Sequence, residues 1–241
     1  MENNTLVMLI AGRFALETAQ QRISLESGNM LLIQKNQLAT LTKTPLNGKD
    51  YQTILISLQD DILRKIALEE QIEITHKYAG PANVRVPRTD FLHAFFQSLL
   101  PYVHHPEEKI THAVGMLKVK EAVYLLLNTS PELKELLFDF SEPHKIDLEK
   151  FMLTNFHYNV PIEKFARLAG RSLASFKRDF QKIFGAAPRQ WLLERRLAEA
   201  RHLIEKKNKR SSDIYLELGF ESLSHFSHSF KKKFGRAPTD R

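Results

Sequence analysis

Two segments near the C-terminus carry the polar residues that could do chemistry, and their spacing is nearly the same. "LASFKRDFQKIFGAAP" begins at Leu173 and "LSHFSHSFKKKFGRAP" begins at Leu223, and eight of the sixteen positions are identical. Between the shared residues lie hydroxyl, amide, imidazole, ammonium and guanidinium groups, which are the groups that contact phosphates and base edges. Because two copies are too few for a solenoid, we interpret them as a tandem pair of small binding modules.

The small and polar side chains of the two segments are the candidate nucleic-acid contacts. In the first segment they are Ser172, Ala174, Ser175, Lys177, Arg178, Gln181 and Lys182; in the second they are Ser222, Ser224, His225, Ser227, His228, Lys231 and Lys232. A helix that begins with short polar side chains can enter a major groove, where Arg or Lys donates to guanine. An ordinary solvated basic helix is the alternative. This alternative is weaker for the two copies together than for either copy alone. A solvated face would usually include carboxylates, and Asp179 is the only one in the first copy.

The shared residues predict how these side chains are positioned. In the first segment, Leu173, Phe176, Phe180 and Phe184 have helical spacing, and the second segment repeats this set fifty residues later. Such a stripe is typical of a helix packed on a core. Ser172 and Ser222 precede the stripes as N-caps, and the short stretches "LAGRS" and "LGFES" come before each helix. Each copy is therefore predicted to be the second helix of a helix-turn-helix, with helices over 172–184 and 222–234. The other helices predicted in this part of the chain cover 146–154, 161–168, 189–207 and 211–217, and the helices are punctuated by Gly170, Gly185, Gly219 and Gly235.

The segment between the copies predicts a rigid connector. "PRQWLLERRLAEARHLIEKK" begins with a proline that suits the first turn of a helix, and a helix over residues 189–207 would be about 28 Å long. Adjacent major-groove faces lie roughly 34 Å apart on one side of B-DNA. One chain could therefore present both predicted recognition helices to neighbouring turns of a duplex.

The distribution of charge agrees with a polyanionic partner for the C-terminal part. The chain of 241 residues has a net charge of +7, but residues 1–141 carry 14 Lys and Arg against 16 Asp and Glu, whereas residues 142–241 carry 21 against 12. Nucleic acid and an anionic membrane surface both fit this asymmetry. A protein that binds DNA or RNA non-specifically through charge alone is the main alternative to sequence-specific recognition.

Composition argues against an enzyme. The chain has no cysteine, and its first histidine is His76, beyond the predicted strands, so neither a thiolate nor a histidine-based metal site in the strands is expected. His104, His105, Glu108 and His112 are close in sequence, and Glu108 and His112, one helical turn apart, could bind a metal. We favour a solvated helix start instead, because Glu107 and Glu108 complement the positive N-terminal dipole. We therefore expect no catalytic residues, no metal and no cofactor. No apolar run is long enough to span a membrane, and we expect a soluble, cytoplasmic protein.

The N-terminal half predicts strands followed by helices, which makes the whole chain α+β. Short alternating stretches fill residues 4–58, and helical spacing follows near 58–68, 88–101, 106–127 and 131–140. The third of these helices carries a broad apolar stripe, which is either core or a dimer face. The candidate dimerisation residues are Ile110, Val114, Leu117 and Tyr124. We place the domain boundary at residue 140, so that the predicted domains are 1–140 and 141–241.

The last hundred residues resemble the AraC-type transcription regulators. The resemblance rests on "FARLAGRSLASFKRDFQKIFGAAPRQWLLERRLAEARHLI" and on "DIYLELGFESLSHFSHSFKKKFGRAP", which falls on the signature of that family. It implies an all-α domain of two helix-turn-helix units joined by a long helix. "RISLESGNMLLIQKNQLATL" is similar to the turn of a cupin-type sensor domain, and "LKVKEAVYLLLN" to its helical dimerisation element. The N-terminal half would then be a short cupin-like β-barrel with a helical dimerisation segment.

The resemblance also implies a function and a set of roles. It implies a sequence-specific regulator of transcription that binds double-stranded DNA, acts as an activator with RNA polymerase, and forms a homodimer. A small molecule or a protein partner would control it through the N-terminal domain. Carried over by position, base reading falls on Ala174, Lys177, Arg178, Ser224, His225 and His228. The family often has Arg where this chain has His228, so base choice there would be sensitive to pH.

Overall fold

The change from strand-forming to helix-forming patterns along the chain divides the molecule into two units. The computed structural model describes residues 3–46, 48, 50–74, 76, 78–105, 111–141 and 145–239. Its contacts separate Met1–Ser141 from Glu142–Arg241. The described strands all lie in the first unit, and the second is helical throughout. The α+β class predicted from the sequence is therefore confirmed.

The described residues of the N-terminal unit form seven short strands, which make two antiparallel sheets. They are β1 (Asn4–Ala11), β2 (Arg13–Glu17), β3 (Arg22–Leu25), β4 (Met30–Ile33), β5 (Thr40–Thr44), β6 (Gln52–Leu58) and β7 (Asn83–Val86). One sheet has the order β6-β1-β4-β7 and the other the order β3-β2-β5. The first six strands match the strand-rich stretch predicted for residues 4–58. The sequence did not predict β7, because four residues are too few to show a convincing alternation.

Alternate residues of β1 and β4 pack on opposite sides of the four-stranded sheet. Leu6 and Leu32, which are paired across the two strands, are buried in the cluster that includes the helices. Val7 and Leu31 point the other way and pack with Phe14 of the smaller sheet. Because side chains alternate between the two faces of a strand, the four-stranded sheet lies between a layer of helices and the three-stranded sheet. The four-stranded sheet is thus covered on both faces, which explains why β4 is buried at every position.

The helices of the N-terminal unit lie near their predicted positions. They are α1 (Asp60–Glu69), α2 (Asp90–His104), α3 (His112–Thr129) and α4 (Lys134–Leu137), with a short 3-10 turn at Pro131–Leu133. Thr111 caps α3 by accepting a hydrogen bond from the backbone N–H of Val114. The residues of α3 that are buried in the core are Ala122, Val123 and Leu126.

The described residues of the C-terminal unit form six helices, and most of these follow the sequence prediction within two residues. They are α5 (Leu148–Asn155), α6 (Ile162–Leu168), α7 (Leu173–Phe184), α8 (Pro188–Lys207), α9 (Ser211–Ile214) and α10 (Leu223–Phe234). The exception is α9, which was predicted to extend to residue 217 but ends at Ile214 and continues as a turn. The helices α6–α7 and α9–α10 are the two helix-turn-helix pairs.

The repeated phenylalanines hold α7 and α10 on the core of the C-terminal unit. Phe176, Phe180, Phe226 and Phe230 are almost fully buried. The ring of Phe180 also lies 4.4 Å from that of Phe184, which in turn lies 4.5 Å from Trp191 of α8. Each helix ends at a glycine in the left-handed conformation, Gly185 or Gly235, which is the expected C-cap. Most of the residues that the two copies share are therefore residues of packing and capping, whereas Lys182 and Lys232, which are also shared, are exposed.

A single arginine of α8 joins the turn of the second helix-turn-helix pair to the segment that leads into the first pair. Arg196 donates from Nε to the carbonyl of Phe156 at 2.8 Å, from Nη2 to that of Tyr158 at 2.9 Å, and from Nη1 to that of Gly219 at 2.9 Å. The first two carbonyls lie just after α5, and the third lies in the turn before α10. Burial lowers the pKa of the Arg196 guanidinium below its usual value. A hydrogen bond from a charged donor contributes about 1.5–3 kcal/mol. One of the three bonds fixes the turn before α10, and the other two fix the segment after α5.

Gly219 must be glycine for two reasons. Its φ of +80° is a left-handed conformation. A Cβ at this position would also collide with the backbone carbonyl of His157 and lie 3.0 Å from the guanidinium carbon of Arg196. Gly235 has a similar φ of +76°, but a Cβ there would meet open space.

These two glycines give a matched test of the packing around Arg196. We expect Gly219→Ala to destabilise the C-terminal unit by roughly 1–3 kcal/mol more than Gly235→Ala, because only the first adds a clash to the shared strain of a left-handed alanine. Unfolding in urea, followed by the fluorescence of Trp191, would measure the difference, since this is the only tryptophan of the chain. Equal losses for the two variants would contradict the packing described here.

Candidate nucleic-acid interface

The face of α7 opposite its phenylalanines is open to solvent. Its exposed side chains are Ala174, Lys177, Arg178, Gln181 and Lys182, and Ser175 is half-buried. Within the described parts of the chain, Lys177, Gln181 and Lys182 make no hydrogen bond or ion pair through their side chains. The structure therefore brings the predicted contacts of the first segment together on one surface and leaves its long polar side chains available to a partner.

Asp179 does not oppose the positive charge of this face. Arg171 donates from Nε to its carboxylate at 3.0 Å, and the same guanidinium donates from Nη1 to the carbonyls of Ile146 and Ala169. The hydrogen bond from Arg171 lowers the pKa of Asp179, and the charges of Lys145 and Arg178 act in the same direction. The carboxylate is thus ionised but compensated, and it ties α7 to the turn that precedes it.

The exposed face of α10 has a different chemistry from that of α7. Ser224, His225, His228, Lys231 and Lys232 are exposed, and Ser227 is half-buried. Ser229 stands where α7 has Asp179, so this helix carries no carboxylate. The lysines occupy the last turn, where the helix dipole also favours positive charge. Here the structure places short polar groups and imidazoles on the first two turns and ammonium groups on the last.

Both capping serines have a structural role that the sequence predicted. The hydroxyl oxygen of Ser172 accepts the backbone N–H of Ser175, and that of Ser222 accepts the N–H of His225, each at 3.2 Å. Both side chains remain exposed. A serine hydroxyl that accepts in this way still has an O–H to donate. The predicted caps are confirmed, and a contact between these hydroxyls and a phosphate stays a prediction.

Sequence reasoning missed several basic residues of the C-terminal unit. Arg171 and Arg196 position the recognition helices, but nothing in their local sequence distinguishes them from surface arginines. A second group lies at the end of α8 and just beyond it, where all four side chains are exposed; they are Lys206, Lys207, Lys209 and Arg210. The stretch "KKNKR" could have indicated this second group, because charge runs of this kind attract polyanions.

The structure places the described members of the predicted dimerisation stripe on the outer side of α3. Leu117 is 64 % exposed and Tyr124 is 37 % exposed, while Val114 is half-buried. Ile110 lies outside the described residues. Tyr124 donates a hydrogen bond to the carboxylate of Glu70 at 2.9 Å, and this bond raises the pKa of the phenol, with burial as a smaller cause. Leu117 is therefore an exposed apolar side chain of α3 and no part of the core.

The described part of the chain contains neither a cluster of metal ligands nor a helix that could span a membrane. Groups of three or more His, Asp or Glu side chains that could hold a metal ion are absent there. Glu108, one of the residues clustered with His104 and His112 in the sequence, lies outside it. Among the same described residues, no helix has both the length and the apolar character needed to cross a bilayer.

Comparisons with known proteins agree with the two-part organisation. Residues 165–240 match a family described as "Helix-turn-helix domain", and residues 4–137 match one described as "ExsA N-terminal regulatory domain". The HTH-type transcriptional regulator ExsA of Pseudomonas aeruginosa is 26 % identical over 96 % of this chain and 83 % of its own. The virulence regulon transcriptional activator VirF of Yersinia enterocolitica is 28 % identical over 97 % of this chain and 87 % of its own.

A crystal structure of ToxT from Vibrio cholerae aligns with all of this chain and 89 % of its own, at 16 % identity and a TM-score of 0.44. The family assignment rests on the sequence matches. The N-terminal regulatory match covers more than half of the chain, and the helix-turn-helix match follows it in the same order. The chain therefore belongs to the AraC-type transcription regulators, with an N-terminal regulatory domain of the ExsA kind.

Proposed function

We propose that this sequence-specific DNA-binding regulator activates transcription by reading two adjacent major-groove segments of one duplex with α7 and α10. The observation that carries the proposal is the common construction of the two helices. Each is capped by a serine, held by two buried phenylalanines and ended by a left-handed glycine, so that its polar face stays exposed. The relative VirF is described as an activator, which supports the direction of the effect.

The connector α8 supports the simultaneous use of both helices. Its 20 residues span about 30 Å, close to the roughly 34 Å between successive major-groove faces. Arg196 then fixes the turn before α10 to the segment after α5. The two recognition helices are thereby held at a set separation, which favours binding to adjacent turns of the same duplex.

The exposed side chains of α7 and α10 are proposed to contact either bases or phosphates. Base reading is proposed for Lys177 and Arg178 of α7, whose long donors reach guanine, with Ala174 allowing close approach. On α10, the shorter Ser224, His225 and His228 have this role. Phosphate contact is proposed for the remaining exposed or capping side chains, which are Ser172, Ser175, Gln181, Lys182, Ser222, Ser227, Lys231 and Lys232.

The N-terminal unit is proposed to make the protein a homodimer and to receive its control signal. Leu117 and Tyr124 on the outer side of α3 are the exposed apolar groups that a second copy would cover. The match to a regulatory domain supports control through this unit, by a small molecule or a protein partner. Contact with RNA polymerase and a cytoplasmic location follow from the role of an activator.

Arg178 and Lys232 test sequence-specific binding against binding by charge alone. The preferred duplex is first selected from a random DNA library, and affinities of variants for it and for single-base changes are then measured at constant salt. We expect Arg178→Ala to relax the choice of one base, with a loss of roughly 1–3 kcal/mol on the preferred duplex. Lys232→Ala should weaken all duplexes alike and reduce the dependence of affinity on salt. Identical behaviour of the two variants would favour the non-specific alternative.

Leu117 tests the proposed dimer face. Leu117→Glu should shift the protein from dimer to monomer, because a carboxylate would be buried in the interface without a partner. Leu55→Glu is the matched control, since Leu55 is 52 % exposed on β6 and lies outside the stripe. Sedimentation velocity over a range of concentrations measures both. A dimer that persists in Leu117→Glu would place the interface elsewhere.

A further inference from the structure

The C-terminal unit contains a groove that the recognition of DNA does not explain. It lies between α8, the residues 159–162 that lead into α6, and the turn that leads into α10, and its volume is about 630 Å³. Its lining includes Ile162, Leu192 and Phe220, which are buried, and Val160 and Leu193, which are half-buried and offer apolar surface. This volume and this lining fall within the usual range of small-molecule sites.

Two guanidinium groups give the groove an excess of positive charge. Three of the five N–H groups of Arg196 donate to backbone carbonyls, and within the described ranges no carboxylate lies within 4 Å of this guanidinium. Arg189, at the start of α8, is exposed and has no hydrogen bond or ion pair with the described residues. A partly buried cation without a counter-ion is costly, and an anion placed beside it reduces that cost.

The other charged and titratable groups of the groove do not cancel its excess of positive charge. Glu221 also lines it, and one of its oxygens accepts a hydrogen bond from the side-chain amide of Asn159 at 3.2 Å. His225, on the first turn of α10, forms part of the wall, with its ring 5.9 Å from that of Phe220. The described lining thus has two arginines and one histidine against a single carboxylate.

We propose that this groove binds a small organic anion, with its apolar body on Val160 and Leu193 and its carboxylate between Arg189 and Arg196. These half-buried apolar side chains favour such a ligand over a stretch of the DNA backbone. A phosphodiester would satisfy the guanidinium groups but would leave the exposed parts of Val160 and Leu193 in contact with water. An aromatic or aliphatic carboxylate covers these side chains and also supplies the counter-charge.

The position of His225 links ligand binding in the groove to DNA binding by α10. This link rests on the proposed function. His225 is both part of the wall and one of the proposed base contacts at the start of α10. A ligand against it would occupy the space beside the end of the helix that enters the major groove. Binding of the anion and binding of DNA by α10 are therefore expected to oppose each other, and by linkage each weakens the other to the same extent.

The test uses 2-naphthoate, an aromatic carboxylate of the proposed class, as the probe. It is titrated into the full-length protein while amide NMR signals are followed. We expect shifts concentrated at residues 159–162 and 219–225. Arg189→Gln should weaken binding about tenfold, as for the loss of a charge-assisted hydrogen bond. Lys206→Gln, which removes one exposed charge from the same helix outside the groove, should leave the affinity unchanged.

Three results would overturn the inference. They are no binding of 2-naphthoate at millimolar concentration, shifts elsewhere in the protein, or equal affinity in the two variants. A loss of DNA affinity in Arg189→Gln without any loss of 2-naphthoate affinity would assign the groove to the DNA backbone instead. Selection of a preferred duplex by the same protein is measured separately, so a failure of this inference is distinguishable from a failure of the proposed function.

Discussion

The arrangement of the DNA-binding unit depends on the guanidinium of Arg196. A helix-turn-helix pair is a small structure, and nothing within one pair fixes its orientation relative to another. Here one side chain of the connecting helix donates to carbonyls that follow α5 and to a carbonyl of the turn before α10. These three charge-assisted hydrogen bonds are partly buried, and they are therefore stronger than exposed ones, because water competes less for the donors. Gly219 completes the arrangement, since only glycine allows the backbone to come so close.

In the same unit, each copy of the duplicated sequence contains one set of residues for packing and another set for recognition. Most residues that the copies share form the core, the caps and the ends of the helices, and they make α7 and α10 alike in structure. The residues that differ lie mainly on the open faces, together with the shared Lys182 and Lys232. The ion pair between Arg171 and Asp179 belongs to the first copy alone, where it removes the effect of a carboxylate on a basic surface. In the second copy Ser229 takes the place of Asp179, so no such compensation is needed.

Much of this could be predicted from the sequence, because the signals are local. Helical spacing, serine caps and terminal glycines predicted α7, α8 and α10 within a residue at each end. The failures were features that are set by distant parts of the chain. Strand β7 is stable only because β4 offers it a partner. The partners of Arg196 lie 23 to 40 residues away, and no local pattern indicates them. The outward direction of Leu117 likewise follows from which side of α3 the core covers.

The central claim is that one chain places α7 and α10 in adjacent major grooves of one duplex. Methylation interference at guanine N7 on a selected duplex tests it most directly, because this atom lies in the major groove. For each bound chain the account predicts two patches of interference on one side of the duplex, about 10 base pairs apart. A single patch for each chain, or weak interference spread along the duplex, would contradict it.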